Sequence, residues 1–584
     1  MDRMPSEIKR LIARCTRDES MESLRALSQV DQEWNRIARP LLYEHIIIRV
    51  LKDRVPLKFL WKPDAKRVLV HVKRLSIVAT WYPVNSVTPT PVLRAYSRLR
   101  ATIEDEDLGD RSICRVGVCP KRHWAAVVDF VRHLAPLQDI DLLISNGGPI
   151  ELHQAISQYH PTCRLSVYSS PSPTAVRYGK AGDWVQLPQL HAAHVTCFEY
   201  PVRRKFSEHP DRVLEDIIVR APHVKKLALR ITAGGHVGPA PDYNETVVVE
   251  RTTGMAPSRT KLEQLSWPLN TRMPAQQFLK WDQLVDYSCL RSWAANELAF
   301  YSAAKEMFDS LPPLTYLCLL GAYKPTLLTN VVLRKHGSTL LELKLNVGSG
   351  EWNDQALRRL RERESTGPIF PAEKIQSLAA QCPSLQRLRI CIQRNRGFET
   401  DVYTALAQLP RLTELDLLLN CPPQVGPDET PTHLRELTDF ENAQSPPTCF
   451  DLPIWFLRDT TINSAIDQDL AKALFTHIRT HHTGSRRLVK LTIRPSCSHH
   501  GPAATRASRA FSADIFKVLA SSWTLETDLL AGCRAVEHPK RISDKRGLFA
   551  GQLQLEVIFN SIWPALEDDG GQLSEWHSWP LQPA

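Results

Sequence analysis

The chain has 584 residues, of which 43% are hydrophobic and 23% charged, and its formal net charge is +10. This length exceeds what one hydrophobic core can organise, so several domains or a repeat array are expected. The positive charge is spread without a run of like charges that would mark a nucleic-acid-binding arm, and no apolar stretch is long enough to predict a membrane span.

The 13 cysteines are odd in number and scattered along the chain. Such scattering favours reduced thiols over a disulfide scaffold. No apolar stretch that could serve as a signal peptide follows the first residues. We therefore expect a cytoplasmic protein, a nuclear protein or both.

The first part of the chain predicts two short helices. Pro5 suits a first helical turn, and Ile8 and Ile12 then fall on one face. The polar stretch Thr16 to Ser20 predicts a break. A second short helix is expected to start at Met21.

A third helix is predicted directly afterwards. Ser28-Gln29-Val30-Asp31 has the form of a capping box and predicts a helix start. This helix carries Trp34 and is expected to stop before Pro40. The apolar run Ile46 to Ile48 then predicts a strand.

The order of these segments resembles the F-box of many fungal proteins, and the resemblance covers residues 1–48. The matching pieces are Met4-Pro5-Ser6-Glu7-Ile8, then Leu24, Leu27, Ser28, Val30 and Trp34, then Ala38, Pro40, Leu42 and Tyr43. The resemblance implies binding to a Skp-type adaptor within a cullin ubiquitin ligase complex. The adaptor-binding residues that it implies are Pro5, Ile8, Ile12, Leu24, Leu27 and Val30.

A segment as short as residues 1–48 cannot bury enough apolar surface to be stable alone. Its helices must therefore pack on something else. They either cap the array that follows or dock a partner, and the resemblance favours docking. Trp34 is as well suited to the interior of the segment as to a contact.

A repeated pattern fills residues 49–549: an amphipathic helix ends at Pro or Gly, and L-x-x-L-x-L follows. The motif starts at Leu137, Val224, Leu314, Leu340, Leu385, Leu412 and Leu488, with weaker copies at Val72 and Leu262. Its fourth and sixth positions share one face of a strand, toward which the helix turns its apolar stripe. Stacked units of this kind give parallel strands backed by helices.

The predicted fold class is therefore α/β, with a three-helix F-box-like module followed by an irregular leucine-rich-repeat solenoid. Polar insertions near 232–260, 421–449 and 495–509 are interpreted as loops. Residues 550–584 are interpreted as a C-terminal cap and loose tail that contains Trp563, Trp576 and Trp579.

Motifs that carry catalytic chemistry are missing from the sequence: there is no phosphate-binding loop, nucleophile elbow or zinc-protease motif. Cys114 and Cys119 lack a second pair. His477 and His481 have the i, i+4 spacing of metal ligands, but no carboxylate or paired cysteine completes a set. We expect no enzyme activity, no metal and no cofactor.

Side chains beside the strand leucines are expected to face away from the helices, onto a concave surface that binds a protein substrate. These residues are Lys226, Arg230, Tyr316, Glu342, Lys344, Arg387, Arg389, Glu414, Asp416, Lys490 and Arg494. Their mixed charge favours protein recognition over phosphate binding, so neither nucleic acid nor membrane is expected as a partner.

Two functions follow from these patterns. The first is a non-catalytic substrate-recognition subunit of a Skp–cullin–F-box ubiquitin ligase, which would hold an unidentified target protein near the ligase. The alternative is a leucine-rich-repeat scaffold for protein interactions that has no ligase role.

Overall fold

The chain is described by a computed structural model over most of its predicted elements. The described residues are 4–51, 67–80, 121–144, 148–169, 182–199, 210–233, 259–266, 281–296, 301–320, 328–346, 369–421, 423, 438, 453–484, 487–496, 515, 519–528, 532–537, 558–559, 561–563, 577–578 and 580–581. None of the helices in these ranges is long and apolar enough to span a membrane.

The chain divides into two compact units. The first comprises Met1–Pro268 and Leu279–Leu290, and the second comprises Leu269–Phe278 and Arg291–Ala584. Each unit combines helices with strands that pair in parallel, so the α/β fold class is confirmed for the described residues.

Three helices open the first unit: α1 Ser6–Glu19, α2 Met21–Leu27 and α3 Gln32–Leu42. The predicted break from Thr16 to Ser20 is wrong in extent, because α1 continues to Glu19. Ser20 alone separates α1 from α2. Its side chain accepts hydrogen bonds from the first backbone N–H groups of α2, as an N-cap does.

The start and end of α3 also differ from the prediction. Asp31, rather than Ser28, is the N-cap, and its carboxylate accepts a hydrogen bond from Trp34 N at 2.7 Å. Pro40 lies inside α3, which ends at Leu42. Pro40 removes one backbone hydrogen bond from α3, and the packing of Leu41 and Leu42 on the apolar core that the three helices share offsets this loss.

Parallel strands follow the three helices of the first unit. They pair in the order β1 His45–Leu51, β2 Arg74–Thr80, β3 Asp139–Leu143, β4 Arg164–Ser169, β5 Leu190–Glu199, β6 Lys226–Ala233 and β8 Gln264–Ser266. The intervening helices are α4 Lys121–His133, α5 Ile150–Tyr159, a 3₁₀ turn Asp183–Gln186 and α6 Pro210–Arg220. The two-residue strands β7 Thr260–Lys261 and β9 Val285–Asp286 pair separately, and a 3₁₀ turn Tyr287–Cys289 follows β9.

The second unit repeats the same alternation. Its parallel strands are β10 Ser292–Asn296, β11 Tyr316–Leu320, β12 Glu342–Asn346, β13 Arg387–Gln393, β14 Glu414–Asn420 and β15 Lys490–Ser496. Its helices are α7 Tyr301–Ser310, α8 Ala372–Gln381, α9 Thr400–Ala407, α10 Ile454–Ser464 and α11 Gln468–Thr480. A π-helix Leu328–Leu333 runs into Arg334–His336 and a 3₁₀ turn Gly337–Thr339. Strands β16 Trp523–Asp528 and β17 Gly532–Glu537 then pair antiparallel.

The repeated motif predicts the strands correctly wherever the structure describes them. The motif leucines are buried, as Leu317 and Leu343 show with no exposed surface. The Phe308 ring of α7 lies 4.9 Å from the Trp293 ring, which occupies the same register as Leu317. Helices therefore pack on the leucine side of these strands.

Histidines connect successive repeats at equivalent places in both units. The buried ring of His160 accepts a hydrogen bond from Leu137 N at 3.2 Å, and its Nε2 lies 2.9 Å from Val131 O. His336 accepts a hydrogen bond from Leu314 N at 3.4 Å. Each histidine thus holds the turn that starts the preceding strand motif.

Two glycines that were predicted to end helices are required by close approach. A Cβ at Gly337 would lie 2.5 Å from the Gln381 carbonyl oxygen, and a Cβ at Gly484 would lie 1.9 Å from that of Pro410. Larger residues at either place would push neighbouring repeats apart.

The predicted insertions lie mostly outside the described residues, although 232–233 belong to β6 and 495–496 to β15. Trp576 and Trp579 also lie outside the described residues. Trp563 is buried in an apolar cluster with Trp455 and Phe456 of α10. That part of the predicted tail is therefore packed.

Candidate functional site

The N-terminal module, defined as α1 to α3, has a core of its own. Ala13, Leu24, Trp34, Ile37 and Ala38 form this core. Leu24 has no exposed surface, so its predicted role as an adaptor contact is wrong. Helix α2 turns Leu24 toward Trp34 of the same module, which leaves none of it for a partner.

Helix α1 distributes its side chains in an unusual way. Lys9, on the inner face, is only 2% exposed; it forms an ion pair with Glu33 of α3 and lies 5.9 Å from the Trp34 ring. Ile8 and Leu11, by contrast, are 45% and 57% exposed. A lysine is thus buried where an apolar residue is usual, and two large apolar side chains face outward.

Further apolar side chains of the module are open. Met21 is 43% and Val30 is 64% exposed, and Pro5 is exposed as well. Ile12 and Leu27 are partly buried against the module core. The exposed side chains of Pro5, Ile8, Leu11, Met21 and Val30 are termed the module surface. Leu11 and Met21 were not among the residues implied by the resemblance, although Leu11 stands three residues after Ile8 on the same helix.

The residues on either side of Val30 in the sequence line a polar depression of 640 Å³. Its lining residues are Ser28, Gln29, Asp31, Gln32, Asn35, Arg39, Leu42 and Tyr43. The module therefore presents polar groups as well as apolar side chains. The mixture is typical of protein-binding surfaces.

Glu44 joins the module to the strands that follow it. Its carboxylate pairs with Arg17 of α1 at 2.5 Å and with Lys73 at 3.1 Å. Its carbonyl oxygen accepts hydrogen bonds from Lys73 N and Arg74 N, at 2.9 and 3.0 Å. Since β1 starts one residue later, the module is attached without a flexible linker.

The second unit aligns the predicted concave-face residues in two rows across neighbouring strands, a set called here the strand face. One row is Tyr316, Glu342, Arg387, Glu414 and Lys490, and the other contains Lys344, Arg389 and Asp416. The predicted alignment is confirmed for these residues.

The charges of the strand face pair with one another. Glu342 contacts Lys344 at 3.2 Å and Arg387 at 2.5 Å. Asp416 likewise has two cations, since it contacts Arg389 at 2.7 Å and Arg494 at 3.3 Å. Lys490 pairs with Glu526 of β16 at 2.9 Å.

Burial corrects several of the predicted contacts. Tyr316, Glu342, Lys344 and Arg389 are each less than a tenth exposed. The Lys344 ammonium lies 5.7 Å from the centre of the Tyr316 ring. These side chains are held in internal pairs and do not offer a partner free surface.

Other predicted contacts remain accessible. The side chains of Arg387 and Lys490 are 53% and 42% exposed, and Glu414 is exposed too. Asp416 and Arg494 are partly exposed. In the first unit Lys226 is half-buried, and the side chain of Arg230 lies outside the described residues.

Strands β1, β2 and β3 of the first unit carry a polar network that sequence reasoning missed. Arg74 donates to Asp141 at 2.7 Å, and the buried Ser76 hydroxyl donates to the same carboxylate at 3.2 Å. His45 Nε2 lies 2.8 Å from Ser76 Oγ. Because the hydroxyl proton goes to Asp141, the imidazole is the donor to Ser76. Since the imidazole donates to Ser76 and does not accept its proton, it does not activate the serine as a nucleophile. The signal was available, since these polar residues flank the motif leucines at alternate positions.

Buried thiols and histidines of the array are kept in their neutral forms. Burial raises the pKa of Cys382 and of Cys391 to about 12. Burial and the neighbouring His481 lower the pKa of His477, which lies 3.0 Å from the Thr404 hydroxyl. No group of side chains suited to hold a metal ion occurs within the described ranges.

Comparisons with known proteins add little to these observations. No family model matches the chain, and no curated protein sequence matches it. Among solved structures, the chain is similar to the leucine-rich repeat-containing protein LegL7 from Legionella pneumophila, with a TM-score of 0.25 and 9% identity over 67% of this chain and 93% of that chain. A TM-score this low carries no argument about fold or function, so the assignments here depend on the chain's own residues.

Proposed function

We propose that the chain is a substrate-recognition subunit of a Skp–cullin–F-box ubiquitin ligase. The observation that carries this proposal is the module surface: large apolar side chains stand open on helices that already have a complete core. Contiguous exposed apolar surface is typical of a protein-binding site, and Ile8 and Leu11 stand three residues apart on α1, a spacing that makes them neighbours on a helix. The resemblance of residues 1–48 to an F-box supports a Skp-type adaptor as the partner.

The module core argues against the capping alternative. A cap would turn its apolar face toward the array and share the array's core. Instead, the module buries Leu24 and Trp34 against each other, and among the described residues it meets the strands through the polar junction at Glu44. Ile8 and Leu11 are therefore free to contact another protein.

The function implied is positional and involves no bond chemistry by this chain. The adaptor would hold the module, and the accessible residues of the strand face, such as Arg387, Glu414 and Lys490, would contact a target protein. Holding both at once raises the effective concentration of a target lysine near the ubiquitin-charged enzyme. The short junction at Glu44 suits this role, since it limits the movement of the module relative to β1.

Capture of a purified Skp-type adaptor by the full chain tests the proposal. We expect the double variant Ile8→Ser, Leu11→Ser to lose about tenfold or more in affinity, because both side chains would be buried at the interface. The matched control is Phe398→Ser, Val536→Ser, which removes two exposed apolar side chains of the second unit.

The alternative function, a repeat scaffold without a ligase role, predicts a different result. In that case the wild-type chain does not bind the adaptor at all, or binds it equally well after both substitutions. Amide exchange in α3 should be unchanged in the double variant, which separates lost binding from an unfolded module.

A further inference from the structure

The described C-terminal residues contact the second unit at an apolar cluster. Trp563 and Phe559 pack there with Trp455 and Phe456 of α10, and Trp563 is only 2% exposed. The indole Nε1 of Trp563 donates a hydrogen bond to the carbonyl oxygen of His577 at 2.9 Å. The His577 carbonyl therefore satisfies the one polar atom of the Trp563 side chain.

Ser578, the next residue, is held through one carboxylate. Its backbone N–H donates to Asp467 Oδ2 at 2.7 Å, and its hydroxyl donates to Asp467 Oδ1 at 2.6 Å. Ser578 is 8% exposed. Both donors of one residue thus point at the two oxygens of a side chain that is 111 positions away in the sequence.

Asp467 has a second task, because it is the N-cap of α11. Its Oδ1 also accepts a hydrogen bond from Leu470 N at 2.8 Å. Burial opposes ionisation of this carboxyl, but the hydrogen bonds from Leu470 and Ser578 outweigh it and lower the pKa of Asp467. The group that receives the Ser578 hydroxyl is therefore an anion at neutral pH.

We propose that His577 and Ser578 form a reversible clasp between Trp563 and Asp467, and that a negative charge on the Ser578 side chain holds it open. The contact is made by the His577 carbonyl oxygen, the Ser578 N–H and hydroxyl, and the side chains of Trp563 and Asp467, none of which belongs to a strand. Its opening therefore breaks no strand pairing in the second unit. An anion at residue 578 would face the Asp467 carboxylate at hydrogen-bond distance and repel it.

Amide hydrogen exchange of the full-length chain tests the clasp with matched variants. Ser578→Asp adds a charge, and Ser578→Asn is its neutral counterpart of equal size. We expect exchange of the peptide that contains His577 and Ser578 to be about tenfold faster in Ser578→Asp than in Ser578→Asn. Exchange in β13 and β14 should be the same in both variants.

A rescue variant distinguishes repulsion between two carboxylates from a poor fit of the larger side chain at position 578. An asparagine side chain can also cap a helix, so Asp467→Asn combined with Ser578→Asp should keep α11 capped and restore slow exchange of the tail. A fluorescent apolar dye should bind more strongly to Ser578→Asp, because Trp563 becomes accessible. The proposal is overturned if the tail of the wild-type chain exchanges like an unstructured peptide, if Ser578→Asp matches Ser578→Asn, if the rescue fails, or if exchange rises throughout β13 and β14.

Discussion

The N-terminal module and the strand face of the second unit both bury charged side chains in ion pairs, but they differ in how far their large apolar side chains are exposed. The module buries Lys9 in an ion pair and leaves Ile8 and Leu11 open to solvent. The strand face buries Glu342 and Arg389 in internal pairs. Apolar groups without a partner point to a second molecule, whereas charges paired within the chain stabilise the array itself.

Pairing within the chain also changes what a row of charged residues in the sequence indicates. The alternating charges of Glu342, Lys344 and Arg387 suggest a recognition surface when they are seen in the sequence. In the structure they neutralise one another, and only the more exposed members remain for a target. The comparison can therefore be tested by measuring how much stability is lost on substituting a buried or paired residue and an exposed one.

The largest expected loss of stability distinguishes a residue of the module core from a residue of the module surface. Leu24→Ala should reduce the free energy of opening α3 by about 3 kcal/mol, because it leaves a cavity in a fully buried site. Leu11→Ala is the same chemical change at a side chain that is 57% exposed, and it should cost less than about 0.5 kcal/mol. Amide exchange of α3 measures both, and equal effects would contradict the distinction between core and surface.

A comparable loss is expected when one central charge of the strand face is removed. Glu342→Gln leaves Lys344 nearly buried without its anion, and the free energy of unfolding should fall by about 3 kcal/mol. Urea unfolding of the full chain, followed by amide exchange in β12, gives the value. Glu414→Gln, in the same row but exposed, is the control and should change stability by less than about 0.5 kcal/mol. A small effect at Glu342 would mean that its pairs are not structural.

Acid should weaken the array and spare the module. Burial lowers the pKa of His336 to about 4, while an unfolded chain has the ordinary value near 6.5. The folded chain binds fewer protons between these values. The stability that the neutral imidazole allows is thus fully present above pH 6.5, and the free energy of unfolding falls by roughly 3 kcal/mol as the pH drops to 4.

Unfolding measured between pH 4.5 and 7.5 checks this slope. His336→Gln should be less stable at neutral pH, with a shallower dependence on pH over the window. Residues 4–44 contain no histidine, so exchange in α1 to α3 provides an internal reference. An unchanged slope in the variant would rule out His336 as its source.

The smallest effect is expected at the junction of module and array. Glu44→Gln weakens the pairs with Arg17 and Lys73, which are partly exposed, so the cost should stay below about 1 kcal/mol. Amide hydrogen exchange at the C-terminal end of α1, where Arg17 lies, should nevertheless become faster. Arg164→Ala removes another surface pair of the first unit, Arg164–Asp139 at 2.8 Å, and should leave α1 unaffected. Equal exchange in α1 for both variants would show that Glu44 does not hold the module.

Short-range patterns predicted most of the helices and strands but misplaced some of the residues at which helices begin and end. The helix that leads into Pro383 and the strand at Leu388 follow from local periodicity. Strands β4 and β10 were missed, since they lack the leucine pattern. The start of α3 was misplaced because Ser28 and Asp31 can both cap a helix. In the structure Asp31 accepts from Trp34 N, whereas the Ser28 hydroxyl donates to Arg25 O of the preceding helix.

The sequence alone determined the alternation of amphipathic helix and parallel strand, because side-chain periodicity within one repeat suffices to place an apolar face. Only the tertiary structure decided that Leu24 lies inside the module and that Glu342 is paired rather than free. Burial and pairing depend on neighbours that come from other helices and other repeats. Those neighbours are distant in the chain, so no local pattern specifies them.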